Sequence, residues 1–153
     1  MMESILLVED NAMDEELTLR ALKNSAVPAE IVVVHDGASA LDYLFATGPY
    51  AGRDANALPT MVLLDLNLPR LGGLEVLERI RSDERTRRLT VVILTSSNED
   101  DDIFQANELG SNAYVRKLMG FTAFADAIRV LTVFWLTLNE RVPARRTTPT
   151  LRP

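Results

Sequence analysis

The chain has 153 residues, the length of one ordinary domain, and its 47% apolar and 25% charged residues describe a globular protein that can bury a core without covalent staples. It has no cysteine and one histidine, His35, which excludes disulfide scaffolds, thiol nucleophiles, iron–sulfur clusters and Cys- or His-built metal centres. A metal here would be held by oxygen, the donor set of Mg²⁺, Ca²⁺ or Mn²⁺. The net charge of −6 is unevenly spread. Residues 1–140 hold all 22 acids and 12 of the 16 basic residues, a balance of −10, and Arg141, Arg145, Arg146 and Arg152 make residues 141–153 +4.

In chain order, the first predicted strand is Ser4–Val8. Asn11 then suits an N-cap for a helix over Ala12–Asn24, with Asp14, Glu15 and Glu16 compensating its positive end. A strand over Ile31–His35 leads to a helix over Gly37–Ala46 with Leu41, Leu44 and Phe45 on one side. The connection Thr47–Pro59 is long for a compact domain, which marks it as a lid, a contact surface or an insertion. Strands follow at Met61–Leu64, Val91–Thr95 and Ala113–Arg116, separated by helices at Leu74–Ser82 and Asp100–Leu109. The acidic opening of the latter, Glu99 to Asp102, reads as dipole compensation rather than a metal site. The last and longest helix spans Thr122–Asn139.

Most of these strands are continuously apolar, as expected where both faces are covered. Strands joined by helix-length crossovers run parallel with right-handed connections. The expected fold is therefore α/β: a doubly wound, five-stranded parallel sheet with helices on both faces. One domain, 1–140, is expected, followed by an Arg/Thr/Pro-rich tail, 141–153, read as disordered. The acidic body argues against nucleic-acid binding. The apolar run Ile5–Val8 is too short for a signal peptide. The stretch Ala123–Leu138, interrupted by Asp126 and Arg129, falls short of the roughly 20 residues of a membrane span. A cytoplasmic protein without membrane contact is expected.

In open parallel sheets the functional crevice lies beyond the carboxyl ends of the strands. Glu9 and Asp10 follow the first strand, Asp65 the third. Thr95 ends the fourth, followed by Ser96 and Ser97, and Lys117 follows the fifth. Three gathered carboxylates repel one another, and a hard divalent cation such as Mg²⁺ removes that conflict. Thr95 can donate to a phosphoryl oxygen and Lys117 can pair with another. An Asp can be the phosphoryl acceptor, and phosphoryl transfer needs mainly positioning and charge neutralisation.

The segments Ile5-Leu6-Leu7-Val8-Glu9-Asp10-Asn11, Leu63-Leu64-Asp65-Leu66-Asn67-Leu68-Pro69, Gly72-Gly73-Leu74-Glu75-Val76-Leu77, Val92-Ile93-Leu94-Thr95-Ser96 and Ala113-Tyr114-Val115-Arg116-Lys117 together resemble a response-regulator receiver domain, over about residues 3–140. The resemblance implies a flavodoxin-like strand order 2-1-3-4-5. It implies that Asp65 accepts a phosphoryl group from a histidine kinase in a Mg²⁺-dependent reaction. Asp10 would ligate Mg²⁺ directly, Glu9 through water, and Asn67 through its backbone carbonyl, its side chain tuning dephosphorylation. Thr95 would swing to the phosphoryl group, Tyr114 would change rotamer with it, and Lys117 would pair with a phosphoryl oxygen. Such a chain is a signalling module, not an enzyme beyond its own aspartyl phosphorylation and dephosphorylation.

Two positions depart from the family pattern. Gly72 stands where an Asp is common, and Leu118 where a proline with a cis peptide is usual. A cis bond before a non-proline residue costs about 3 kcal/mol. A trans Lys117–Leu118 bond is therefore expected, with a loop rebuilt through Met119 and Gly120 and Lys117 less firmly aimed at Asp65. The Thr47–Pro59 connection, Phe124 with Ile128, and Phe134-Trp135-Leu136 further resemble stand-alone regulators paired with phytochrome-type histidine kinases, which implies such a kinase as partner.

Two other classes compete. A haloacid-dehalogenase-type phosphatase carries a second Asp two residues after its nucleophile, where this chain has Asn67. A flavodoxin needs a Ser/Thr/Gly-rich phosphate loop, absent between Val8 and Met13. On the last helix, Phe124, Ile128, Leu131, Trp135 and Leu138 form a stripe expected to face the sheet. Ala127, Val130, Val133, Phe134 and Leu136 lie off it, so a homodimer through this helix is expected, with Val130, Val133 and Phe134 as its face.

Overall fold

The computed structural model describes residues 3–25, 27–97, 99–117 and 120–141. The predicted 141–153 tail, apart from Arg141, and the Lys117–Leu118 peptide lie outside them. Five strands, β1 (Glu3–Val8), β2 (Ala29–Val34), β3 (Met61–Leu64), β4 (Thr90–Thr95) and β5 (Ala113–Arg116), alternate with five helices, α1 (Ala12–Lys23), α2 (Gly37–Phe45), α3 (Gly73–Ser82), α4 (Asp100–Glu108) and α5 (Phe121–Val133). All strand pairs are parallel and the sheet order is β2-β1-β3-β4-β5, the order the resemblance implied.

Alternation along the strands builds two cores. Leu6, Val8, Val62, Leu64, Val91 and Ile93 pack beneath α2, α3 and α4, meeting Leu44, Leu77, Ile80 and Ala106. Ile5, Leu7, Met61, Leu63, Val92 and Leu94 point to the other face, beneath α1 and α5, meeting Leu22, Phe124 and Ile128. The central strands carry continuous apolar runs, Ile5–Val8, Met61–Leu64 and Val91–Leu94, because both of their faces are covered. β1 and β4 each start one residue earlier than expected, and β2 shifts most: it pairs Ala29–Val34 against Glu3–Val8, so it starts before Ile31 and leaves His35 outside.

Side chains cap the first two helices. The Asn11 side chain accepts from the Asp14 N–H at 2.9 Å, and Asp36 accepts from the Ser39 N–H at 2.6 Å. Arg81, near the end of α3, ties α3 to the neighbouring strands. Its guanidinium donates to the carbonyls of Gly110 (2.8 and 2.9 Å), Arg87 (3.0 Å) and Leu89 (2.6 Å) and to Asn112 Oδ1 (2.8 Å).

The Thr47–Pro59 connection is not a lid over the strand ends. It precedes β3 and so lies at the amino edge of the sheet, opposite the predicted crevice. A 3-10 turn at Gly48–Tyr50 opens it. Tyr50 sits edge-on to Tyr43 with centroids 5.2 Å apart, and the Arg53 guanidinium lies 3.7 Å over the Tyr43 ring. Arg53 also donates to the carbonyls of Tyr43 and Ala57.

The last helix corrects two expectations. A π-helical turn, Phe134–Leu138, follows α5, and the combined helix of 18 residues is long and apolar enough by length and composition to cross a bilayer. Here it serves the core, because Phe124, Ile128, Thr132 and Leu136 bury against the sheet. The buried stripe therefore repeats every four residues. Leu131 and Trp135, expected on the stripe, pack half-buried at its edge against the same core, Thr132 and Leu136 lie fully within it, and Leu138 is exposed. A hydroxyl can occupy the core at Thr132 because it donates to the Ile128 carbonyl at 2.7 Å.

Candidate functional site

The sheet's hydrogen-bond ladder continues one residue past β1 and β3. The Glu9 N–H donates to the Val34 carbonyl at 3.0 Å and the Asp65 N–H to the Val8 carbonyl at 3.1 Å. This places both carboxylates at the carboxyl edge of adjacent strands, with Asp10 beside them. Glu9 and Asp65 are buried and Asp10 is exposed. Ligand oxygens of the three lie within 4.8 Å of one another. Oxygen-only donors at this spacing, two buried and one open to solvent, fit a hard divalent cation that keeps several waters.

Gly73, at the start of α3, lets the chain pass against the back of Asp65. A Cβ there would sit 2.2 Å from the Asp65 carbonyl oxygen and 2.6 Å from Leu66 Cα. The Asn67 N–H donates to Asp65 Oδ1 at 3.2 Å and the Asn67 side chain is exposed.

Lys117 reaches into the cluster from the end of β5. Its ammonium donates to Glu9 Oε1, to Asp65 Oδ2 at 3.0 Å and to Asp14 Oδ2 at 3.1 Å, with only 8% of the side chain exposed. The expectation of a loosely aimed Lys117 is thus corrected: three carboxylates fix it. Gly120, the residue before α5, takes φ +85° and ψ 158°, a positive-φ extended conformation that glycine adopts without a Cβ clash.

Burial pushes the Glu9 carboxyl up to about 7, against the pull of the Lys117 hydrogen bond. For Lys117, burial acts to lower the pKa, but the hydrogen bond to Glu9 and the negative charges of Asp65 and Glu9 outweigh it. The group is held above its ordinary value and stays charged. One ammonium among four acidic side chains leaves the pocket net negative, which favours a divalent cation.

Thr95 is fully buried at the end of β4, and its Oγ1 accepts from the Ser97 N–H at 3.3 Å. The Tyr114 hydroxyl donates to the Ser97 carbonyl at 3.3 Å, and burial raises its pKa. The Ser97 hydroxyl donates to Asp102 Oδ2 at 2.5 Å, in the first turn of α4. Thr95 and Tyr114 therefore meet through Ser97 rather than directly. Of the expected dimer face on α5, Val130 and Phe134 are exposed, whereas Val133 is half-buried.

Sequence reasoning assigned Asp14 and Asp102 to helix-start electrostatics alone. Both lie in a first helical turn, but Asp14 also binds Lys117 across the fold, and Asp102 binds Ser97 in the segment before its own helix. The one signal for Asp14 was its position a single turn after the Glu9-Asp10 pair.

The 2-1-3-4-5 parallel sheet, with this cluster at its carboxyl edge, points to a receiver. The family model of the response regulator receiver domain matches residues 5–129, and this chain belongs to that family. The receiver reading therefore holds over the phosphatase alternative. Response regulator Rcp1 of Synechocystis sp. is 36% identical over 132 residues, covering 86% of this chain and 88% of Rcp1. The phosphorylated cyanobacterial phytochrome response regulator RcpA superposes with a TM-score of 0.85 at 40% identity, covering 92% of this chain and 99% of that one. The bacteriophytochrome response regulator RtBRR gives a TM-score of 0.76 at 49% identity, covering 94% and 86%. Rcp1 has also been solved in its Mn²⁺-bound form, with a TM-score of 0.83 at 34% identity, covering 93% of this chain and 99% of Rcp1. The chain is thus a receiver close to phytochrome response regulators.

Proposed function

We propose that this chain is a phosphorylation-dependent signalling module whose acceptor is Asp65 and whose donor is the phosphohistidine of a phytochrome-type histidine kinase. The observation that carries the reading is the burial of Asp65 beside Glu9 and Asp10 with the Lys117 ammonium 3.0 Å away. An Asp65 carboxylate oxygen attacks phosphorus, the phosphorus–nitrogen bond breaks, and the electron pair stays with the departing imidazole. The product is an aspartyl phosphate.

Glu9, Asp10, Asp65 and the Asn67 backbone carbonyl are the groups to hold Mg²⁺. A bound divalent cation supplies charge neutralisation for the carboxylates and the phosphoryl oxygens. Lys117 neutralises a further phosphoryl oxygen, and the Thr95 hydroxyl donates to another. When Thr95 turns to the phosphoryl group it gives up the Ser97 N–H. That loosens the segment to which Tyr114 is tied, so Tyr114 and the start of α4 respond. The readout is contact with another protein in the cytoplasm.

A homodimer through α5 is part of this reading. Phe121, Val130, Phe134 and Leu138 are large apolar side chains left exposed on this one helix, and a second copy is the simplest cover.

Acetyl phosphate with Mg²⁺ separates the classes. A receiver acquires one phosphoryl group on the protein, a phosphatase turns the compound over with no stable label, and a flavodoxin does neither. The expected result is a single label that forms with Mg²⁺ and does not form when the metal is chelated beforehand. Multiple turnover without label would contradict the reading.

A further inference from the structure

Lys117 is anchored by one carboxylate outside the acceptor and metal cluster. Asp14, half-buried in the first turn of α1, places Oδ2 at 3.1 Å from the Lys117 ammonium, which lies 3.0 Å from Asp65 Oδ2. Its backbone N–H is held by Asn11 Oδ1 at 2.9 Å, so α1's own cap fixes where this carboxylate stands. Asp14 and Lys117 share a cavity of about 330 Å³ between α1 and α5, with Leu17, Thr18, Phe121 and Phe124 as its remaining large walls.

We propose that Asp14 is a positioning residue for phosphoryl transfer, holding the Lys117 ammonium beside Asp65 when Glu9 and Asp65 turn to other charges. This inference rests on the aspartyl-phosphate reading above. In the metal-free site Lys117 has three acceptors. A cation drawn to Glu9, Asp10 and Asp65 competes for two of them. Asp14 lies outside the cation-binding triad and remains as the tether. A long Lys side chain with a single fixed acceptor keeps its head group in place, whereas without one it samples several rotamers and loses entropy on meeting the phosphoryl group. Asp14 touches neither donor nor acceptor, so its effect passes through Lys117.

The test is the labelling rate with acetyl phosphate in Asp14→Asn, Lys117→Met and the double variant, with Mg²⁺ affinity measured by calorimetry. Asp14→Asn is expected to slow labelling about tenfold while leaving Mg²⁺ affinity within about twofold. In the Lys117→Met background the same change should alter the rate by less than about twofold. Glu15→Gln removes the same charge from the same helix end, where Glu15 bonds His35 at 2.8 Å instead. It should label at the wild-type rate. Equal slowing in both Lys117 backgrounds, or in Glu15→Gln, would overturn the proposal. Asp14→Glu, which keeps the charge, should recover part of the lost rate.

A second measurement needs no phosphoryl chemistry. The side-chain ammonium resonance of Lys117 should be sharp and slowly exchanging in the Mg²⁺-loaded wild type, and broadened in Asp14→Asn. An unchanged resonance would defeat the tether even if labelling slowed. Failure of the wild type to label at Asp65 would instead defeat the underlying reading, and the resonance would still decide the tether.

Discussion

Glu9 is the residue at which burial and charge pull hardest against each other. Its carboxyl is pushed up to about 7 by burial, so the metal-free site carries a proton there that a cation must displace. Mg²⁺ should therefore bind more tightly as pH rises from about 6 to about 8, with a proton released near pH 7; calorimetry in buffers of different ionisation enthalpy measures both. Stability of the metal-free protein should move the other way. The folded state holds this proton from the unfolded carboxylate pKa up to about 7, so stability falls as pH rises through that window. Melting curves should show the decline without Mg²⁺ and much less of it with Mg²⁺. At Gly73 the constraint is steric: an added Cβ meets Asp65 and Leu66 backbone, which cannot step aside. Gly73→Ala should cost about 1–3 kcal/mol in urea unfolding and slow labelling as well. Glu9, Asp10, Asp65, Thr95 and Lys117 were legible because strand-end position alone singles them out. Asp14 was not, because its bond to Lys117 joins residues 103 apart in the chain, and no local pattern encodes that pairing.

Helices and strands differed in how well their sequences announced them. The apolar runs of β1, β3 and β4 fixed those strands to within a residue or so, because no other element is continuously apolar over so short a length. On α5 the face was harder to read. A greasy helix offers several stripes, and the buried one runs through Thr132, a residue that apolar patterning discards. Ile128, at the centre of that stripe, is fully buried, and Ile128→Ala should destabilise by about 2–5 kcal/mol. Phe134 lies on the exposed side, packed edge-on against Trp135 at 4.9 Å. Phe134→Glu should leave the melting temperature nearly unchanged and shift sedimentation from dimer to monomer. Monomeric wild type at tens of micromolar (a rough working range) would remove the α5 dimer from the account.

For the whole molecule, alternation of strands and helices was enough for a parallel, doubly wound sheet, but not for its strand order. Periodicity cannot tell which strand is central, so 2-1-3-4-5 came from the receiver resemblance. That order sets the function: β1 and β3 are neighbours, so Glu9, Asp10 and Asp65 meet, and β4 and β5 follow on the same side with Thr95 and Lys117. The account therefore stands on Asp65 as the one acceptor in this arrangement. The most direct measurement is phosphotransfer from a prephosphorylated phytochrome-type histidine kinase to wild type and to Asp65→Asn, read by intact mass, with the modified residue located by borohydride trapping. The account predicts one Mg²⁺-dependent phosphoryl group on wild type, located at Asp65, and none on Asp65→Asn. Label on Asp65→Asn at the wild-type rate, or trapping at another residue, would contradict it.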